Sequence, residues 1–545
     1  MKYGFVIDNR KCIGCHACTT ACKSEHEVPV GVNRTWVKQV EKGEFPNTRR
    51  LFSVMRCNHC TDAPCVDICP VESLYFREDG IVDFDKDRCI GCKSCMQACP
   101  YDALYIDPDN HTAAKCNYCA HRVDVGLEPA CVNVCPEHAI ISGDMDDPAS
   151  EITALLSRQQ VKVRKPEKGT QPNLFYIDAD EASLNPTATA KEEDYLWSSQ
   201  ARGVGHFAKE AEKMAFSNGD LIDALMKTEA AETEMRTDKD IAENGPSKSI
   251  DVMLGKKARR AYDVPDKGVL WGWEVSAYVW TKAIAAGAFL VPFLATAFGF
   301  AEVNATAQWL GLGIGLLFLA ITGGLLVMDL DRPDRFLNVL LRPQWGSWLV
   351  KGGYAITAYG GLLTLLAGMS WMGWDALITP TNWITAVIAV IVAIYTAFLF
   401  AQAKGRDFWQ SPTLAIHMLV HSLMAGAAVF GLLSVVITSG ADWMQFLKYV
   451  MLTGIVVNLF TMLIELTMTH PTDDARRTVE MITKGRYKNK FWAGVLFFGN
   501  ILPLLLLFFM ATNAISLALA GGIILVGIYL VEDIWVEAPQ RIPLS

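Results

Sequence analysis

The chain has 545 residues, 51% of them hydrophobic and 20% charged, with a net charge of −9 and 16 cysteines. A mean hydropathy of +0.21 beside that much charge excludes a uniform soluble protein and predicts two chemically different halves. The acidic balance, with no dominant basic face, excludes nucleic acid as a partner.

In chain order, the opening MKYGFVIDNRKC has neither the apolar core of a signal peptide nor a twin-arginine pair, so the first half is expected to carry no export address of its own. The cysteines follow, all between Cys12 and Cys135. They form four sets: Cys12, Cys15, Cys18 and Cys22; Cys57, Cys60, Cys65 and Cys69; Cys89, Cys92, Cys95 and Cys99; Cys116, Cys119, Cys131 and Cys135. Two sets read C-x-x-C-x-x-C-x-x-x-C; the other two keep both ends and widen the middle gap. Three end in Cys-Pro.

This is the bacterial iron–sulfur run, in which three thiolates hold one [4Fe–4S] cubane and the fourth reaches its neighbour. Soft anionic sulfur suits iron. Disulfides would need an oxidising compartment. Zinc would account for the C-x-x-C pairs but not for the repeated third and fourth cysteines or the proline. Four ligands per cluster predict four [4Fe–4S] clusters and no spare thiol for catalysis. GIVDFDKDRCIGC and YGFVIDNRKCIGC read as short strands entering cluster loops, and VESLYF and YDALYI echo each other after Cys-Pro. Half-repeats of about 30 residues are small enough that the cluster must organise them.

The four sets, the order in which their gaps widen, and the later KPEKGTQPNLFYID resemble the electron-transfer subunit of dimethyl-sulfoxide/polysulfide reductase-type molybdo-enzymes, over about residues 1–180. The resemblance implies that sets one and four share two clusters and sets two and three the other two. Carried over, Cys12, Cys15, Cys18 and Cys135 bind one cluster, and Cys116, Cys119, Cys131 and Cys22 a second. Cys57, Cys60, Cys65 and Cys99 bind a third; Cys89, Cys92, Cys95 and Cys69 the fourth. Set one departs from the pattern, with Lys23 in place of the proline; this is expected to alter backbone rigidity and not ligation.

Residues 186–270 are polar and alanine-rich and predict a linker with short helical patches, lying against the first half or a partner. Eight apolar runs then follow, near 275–300, 309–330, 348–370, 383–403, 412–438, 444–469, 490–512 and 514–534. Each approaches or exceeds the roughly 20 residues of a transmembrane helix. Loops on the N-terminal side hold Arg332, Arg335, Arg342, Lys351, Lys404, Arg406, Arg476, Arg477, Lys484 and Arg541, whereas the opposite loops hold no Lys or Arg. The positive-inside rule places the cysteine-rich half and both termini in the cytoplasm, on a multi-pass protein of the bacterial inner membrane.

The runs around Tyr278–Gly287 and Asp329–Phe336, with the tail from Trp535, resemble the polysulfide-reductase-type (NrfD-like) membrane subunit. That resemblance implies a quinone oxidoreductase without haem, here fused to its iron–sulfur partner, and a separate molybdopterin-containing catalytic subunit. The residues agree, because ionisable groups within spans are costly and default to functional candidates. Glu274, Lys282, Asp329, Asp331, His417, His421 and Glu465 all fall toward the cytoplasmic end. There a quinone (menaquinone or ubiquinone) could exchange two electrons and two protons beside the clusters. Duller roles compete: Lys282 and Glu274 as snorkelling side chains, Asp329, Asp331, Arg332 and Arg335 as a loop ion network, one histidine as a structural donor. His417 and His421, four residues apart, share one helix face, which argues against bis-histidine haem. Lys282-Ala-Ile-Ala-Ala-Gly287 and His421-Ser-Leu-Met-Ala-Gly426 align as a faint repeat of four spans plus four.

The expected architecture is an α+β ferredoxin-like four-cluster domain over 1–185, a linker over 186–270, and an all-α bundle of eight helices over 271–545, arranged as two four-helix bundles. The expected function is an electron-transfer and membrane-anchor subunit of a respiratory oxidoreductase. The rival is a redox-driven proton-translocating subunit, which needs a continuous polar path; Lys448, Asn458 and Glu465 would mark it.

Overall fold

The computed structural model describes residues 1–44, 47–189, 258–264, 267–437 and 440–545. Most of the expected linker, 190–257, lies outside the described residues. Its two ends are structured: Pro186–Ala188 is a 3-10 turn and Ala258–Tyr262 a strand.

The first half contains β1 (Tyr3–Asp8), β2 (Thr35–Glu44), β3 (Asn47–Arg56), β4 (Leu74–Phe76), β5 (Val82–Phe84), β6 (Leu104–Asp107), β7 (Thr112–Lys115), β8 (Ile140–Asp144), β9 (Val161–Lys162) and β10 (Leu174–Ile177), with β11 (Ala258–Tyr262) arriving from beyond the linker. Strand β1 is buried and central to a sheet of order β8-β1-β10-β9, antiparallel to β8 and parallel to β10, with Phe5 opposite Leu174. The NLFYID segment thus closes the sheet begun at the N-terminus. A second sheet, β11-β2-β3, is a long hairpin edged by β11. The echoing segments VESLYF and YDALYI supply the first strands of two separate hairpins, β4–β5 and β6–β7.

Among the described residues eight helices are long and apolar enough to cross a membrane, and the chain is a multi-pass membrane protein: Trp273–Ala297, Ala305–Met328, Trp348–Met372, Asp375–Gln402, Leu414–Leu433, Ala441–Thr467, Lys490–Phe509 and Ala514–Arg541. The first and fifth are the most enclosed, which makes them the core around which the others pack. They cross backbone to backbone at Gly287 and Gly426. A Cβ on Gly287 would lie 1.9 Å from Ser422 O, and one on Gly426 would lie 2.2 Å from Gly287 O. Small residues permit this approach where lipid gives no hydrophobic reason for helices to associate. The contact joins the two positions that the internal repeat aligns. The second, third and fourth spans gather on the first, through Gly311 against Ala288 O, Tyr359 Oη donating to Ala285 O (2.9 Å), and Lys282 to Thr396. The sixth and eighth gather on the fifth, through Gly454 against Met424 and Gly521 against Ala428 O; the seventh meets the eighth at Gly499 and Gly527. The bundle is therefore two groups of four.

Loops after the second, fourth and sixth spans, together with the C-terminal tail, meet the first half. Asp331 N–H donates to Gly91 O and Arg332 N–H to Ile90 O, both at 3.3 Å; Gly405 N–H donates to Gln97 O at 3.2 Å. Lys165 pairs with Asp474 at 3.4 Å, and Arg164 Nη2 donates to Leu544 O at 3.0 Å. Trp271, just before the first span, donates its indole N–H to Cys92 O at 3.1 Å. Gly91 is forced twice over: its φ is +71°, and a Cβ would lie 2.7 Å from Asp331 Cβ. Gly91→Ala is expected to strain this junction by about 1–3 kcal/mol, seen as earlier release of the first half in limited proteolysis of the detergent-solubilised protein, with the bundle's helical circular dichroism retained.

Candidate functional site

The four cysteine sets fold by one local rule. The residue before the second cysteine of each C-x-x-C has positive φ: Gly14 (71°), His59 (43°), Gly91 (71°) and Tyr118 (62°). This turns backbone amides inward as an anion-binding concavity; His59 N–H points at Cys57 Sγ (3.5 Å) and Gly91 N–H at Cys89 Sγ (3.4 Å). After each Cys-Pro a second left-handed residue follows, Glu72, Asp102 or His138. It brings the amide four residues on back to the thiol: Ser73 N–H to Cys69 Sγ and Ala139 N–H to Cys135 Sγ, both at 3.2 Å. Set one lacks the proline, and there helix Ala17–His26 runs on past Cys22. Lys23 fills the gap by donating Nζ to Pro29 O (3.1 Å) and Val32 O (2.5 Å).

The thiols gather across the sets. Cys12 faces Cys15, Cys18 and Cys135; Cys22 faces Cys116, Cys119 and Cys131. Cys65 faces Cys57, Cys60 and Cys99, and Cys95 faces Cys69, Cys89 and Cys92. The groups also follow one another within electrostatic reach, Cys18 with Cys131, Cys57 with Cys116, Cys65 with Cys95. Among the described residues no three thiols lie within 4.8 Å of one another, whereas thiolates around a single zinc at about 2.3 Å would crowd closer. The wider cages suit a polynuclear group. Cys15, in the first group, is exposed, while the last group borders the bundle.

At that border a cleft of about 220 Å³ opens, lined by Cys92, Trp271, Tyr278, Asp329, Tyr395 and otherwise mainly apolar side chains. Of the seven candidates in the membrane half, only Asp329 lines it. Burial pushes its carboxyl up to about 7, against the pull of Lys93. Asp331 lies beside it with its carboxylate 3.4 Å from Lys93 Nζ. Half-buried Glu274 stands within electrostatic reach of Asp329. Lys282 does not snorkel: it is 1% exposed, donates Nζ to Thr396 Oγ1 (2.5 Å) and sits over the Tyr395 ring.

His417, His421 and Glu465 form a separate, buried cluster in the second group of helices. The imidazoles pack edge to face with centroids 4.2 Å apart. His417 Nδ1 is 3.4 Å from Glu465 Oε2, and Glu465 accepts from Thr413 Oγ1 (2.6 Å) and Trp535 Nε1 (2.9 Å). His421 Nδ1 meets Glu532 Oε1 at 2.7 Å and its Nε2 meets Asn458 Oδ1 at 3.1 Å; Asn458 in turn donates to Asn500 Oδ1 at 2.9 Å. Glu532 is the residue that sequence reasoning missed. Its signal was an acid near the end of an otherwise apolar run, where closeness to the helix end reads as interfacial. Lys448 reaches Thr512 Oγ1 (3.3 Å), and between it and Asn458 the inward side chains of the sixth span are Met451 and Ile455.

Profiles for the 4Fe-4S dicluster domain match residues 11–74 and 48–145, and the profile for the polysulphide reductase NrfD domain matches residues 264–532. A tetrathionate reductase subunit of Salmonella typhimurium is 46% identical over 189 residues, covering 34% of this chain and 76% of that protein. A polysulfide reductase chain of Wolinella succinogenes is 43% identical over 181 residues, covering 32% of this chain and 94% of that protein. The arsenate respiratory reductase iron–sulfur subunit of a Shewanella species is 33% identical over 225 residues, 32% of this chain and 96% of that protein.

Glu532→Leu leaves His421 buried without its carboxylate. Breaking a buried pair from one side costs roughly 3–5 kcal/mol, so thermal unfolding in detergent should fall well below wild type, and the double variant with His421→Leu should recover part of the loss.

Proposed function

Because this chain belongs to the family of 4Fe-4S dicluster iron–sulfur subunits of respiratory reductases, with an NrfD-type membrane domain fused behind, we propose that it carries electrons through four [4Fe–4S] clusters between a molybdopterin-containing catalytic subunit and a membrane quinone. Cys12, Cys15, Cys18 and Cys135 hold the first cluster, Cys22, Cys116, Cys119 and Cys131 the second, Cys57, Cys60, Cys65 and Cys99 the third, and Cys69, Cys89, Cys92 and Cys95 the fourth. Exposed Cys15 marks the end that faces the catalytic subunit. The cubanes supply one-electron carriage; the chain's own part is to space them, shield them from water and close the series on the bundle.

The observation that carries this reading is the cleft that shares Cys92 and Asp329 in one wall. An apolar slot with a few convergent polar groups is the general form of a small-molecule site. A quinone headgroup seated there lies beside the last cluster, with Asp329 placed to take or give its proton. Loop charge supports a cytoplasmic iron–sulfur half on the bacterial inner membrane. Tetrathionate, polysulfide and arsenate reductases share this type of subunit, so the catalytic partner's substrate belongs to that oxyanion and sulfur-compound range. Proton translocation gains no support: the apolar stretch at Met451 and Ile455 interrupts the polar series in the sixth span.

In membrane vesicles, menaquinol should reduce the clusters, followed by their visible absorbance. Quinol oxidation releases protons, so the basic form of Asp329 is the working one. The rate should rise with pH through about 7, because a carboxyl raised to that value is protonated below it and ionised above it. Asp329→Asn should slow the reaction at least tenfold and abolish the rise; an unchanged rate and profile would remove the quinone from this cleft. Iron and sulfide analysis should give about 16 of each per chain, with about four fewer in a Cys131→Ala variant.

A further inference from the structure

Two buried cations stand where the second and third thiol groups meet. Arg56 is 0% exposed, yet its guanidinium pairs with no carboxylate among the described residues. Its Nη1 donates to Cys131 Sγ at 3.0 Å, Cys116 and Cys18 lie within electrostatic reach, and Phe5 covers it at 4.4 Å. Its Nε and Nη2 have no hydrogen-bond partner. Lys115, also 0% exposed, donates Nζ to Val82 O and to Cys116 O (2.9 Å) and lies against Cys57.

The arrangement is reciprocal. Arg56 immediately precedes Cys57 in sequence but points into the Cys22, Cys116, Cys119 and Cys131 group. Lys115 immediately precedes Cys116 but points at Cys57. Each cation is carried on the backbone of one group and serves the other.

The cations near the two outer groups are different in kind. Lys93 pairs with Asp331, Arg10 with Asp8, and Arg332 with Asp334, and the two arginines are partly open to solvent. Those charges are neutralised by carboxylates or screened by water. Arg56 and Lys115 are neither. A buried charge left unpaired is strongly unfavourable, and the groups available to balance these two are cluster thiolates.

We propose that Arg56 and Lys115 are fixed positive charges that set the two middle clusters at higher reduction potentials than the outer two, making the centre of the series the place where an electron rests. The inference rests on the cluster assignment proposed above. Reduction adds one electron to a cubane and no proton or bond, so a nearby fixed positive charge favours the reduced form, and net charge and hydrogen bonds to sulfur are established levers on such potentials. His26 Nε2, 3.1 Å from Cys119 Sγ, adds a third polar contact to the second group. Neither cation touches quinone or substrate; both act through the clusters as positioning residues for charge.

The test is an electron-paramagnetic-resonance redox titration of the full chain in native membranes, for wild type, Arg56→Gln, Arg56→Lys and Lys115→Gln, with iron content measured on each. Wild type should show four titrating centres, two of them at distinctly higher potential. Arg56→Gln and Lys115→Gln should each lower one or both of these by at least a tenfold change in equilibrium constant, about 59 mV for one electron. Lys115→Gln should leave the outer two in place, and Arg56→Gln, whose lost charge also reached Cys18, should shift the first by less than the middle pair. Arg56→Lys, which keeps the charge, should stay near wild type. If Arg56→Gln loses a cluster, Lys115→Gln and the potentials retained by Arg56→Lys decide the matter. Four centres unmoved in every variant with full iron would overturn the inference and leave the cluster assignment standing. Fewer than four centres in wild type would instead overturn the assignment beneath it.

Discussion

The contact of two backbones at Gly91 governs the rest of the molecule. A cysteine loop must turn through positive φ to aim its amides at sulfur, and only a residue without Cβ lets the chain after the second span lie directly on that turn. Because Asp331 and Arg332 bond to Gly91 and Ile90 through main-chain atoms, the last thiol group is held against the membrane bundle with no side chain between. Trp271 completes the seam from the first span. The cleft beside Cys92, the approach of Lys93 to Asp329 and Asp331, and the closeness of iron–sulfur half to bundle all follow from this one junction.

Much of this was legible in the residues. Cysteine spacing marks where each loop turns, since C-x-x-C with Gly or a tolerant third residue and Cys-Pro at the end leave few backbone paths. Hydropathy finds all eight helices, most to within a few residues, because a bilayer demands length and composition together; the fourth begins at Asp375, eight residues before the apolar run. The aligned glycines 287 and 426 mark the crossing at the centre of the bundle. What the residues did not disclose is pairing between distant segments. Nothing local in ARRAY at 258–262 announces that it will edge the β2–β3 hairpin across a long polar stretch. Glu532 stays hidden for the same reason: its meaning comes from His421, more than 100 positions away, and not from its own neighbours.

The polar groups of the bundle divide accordingly. Asp329, Tyr278 and Tyr395 face the cleft near the clusters, while His417, His421, Glu465 and Glu532 form a closed knot between helices five, six and eight. Lys282 stands between the two, over Tyr395 on one side and within electrostatic reach of Glu532 on the other. In a medium without water such a knot persists because each carboxylate faces an imidazole, Glu532 at 2.7 Å from His421 and Glu465 at 3.4 Å from His417. Its members come from helices far apart in sequence, so it locks the second group of four together much as the glycine crossing locks the two groups to each other.

The buried guanidinium of Arg56 and the ammonium of Lys115 also tie the closing of the first half to sulfur. Among the described residues Arg56 has no carboxylate to face, and Lys115 has main-chain oxygens and Cys57. Uncompensated charge is costly to bury, so filling the thiol cages with the anionic clusters proposed above would stabilise the closed core formed by β1, β3 and the hairpins, and folding and cofactor loading of the first half would become one equilibrium.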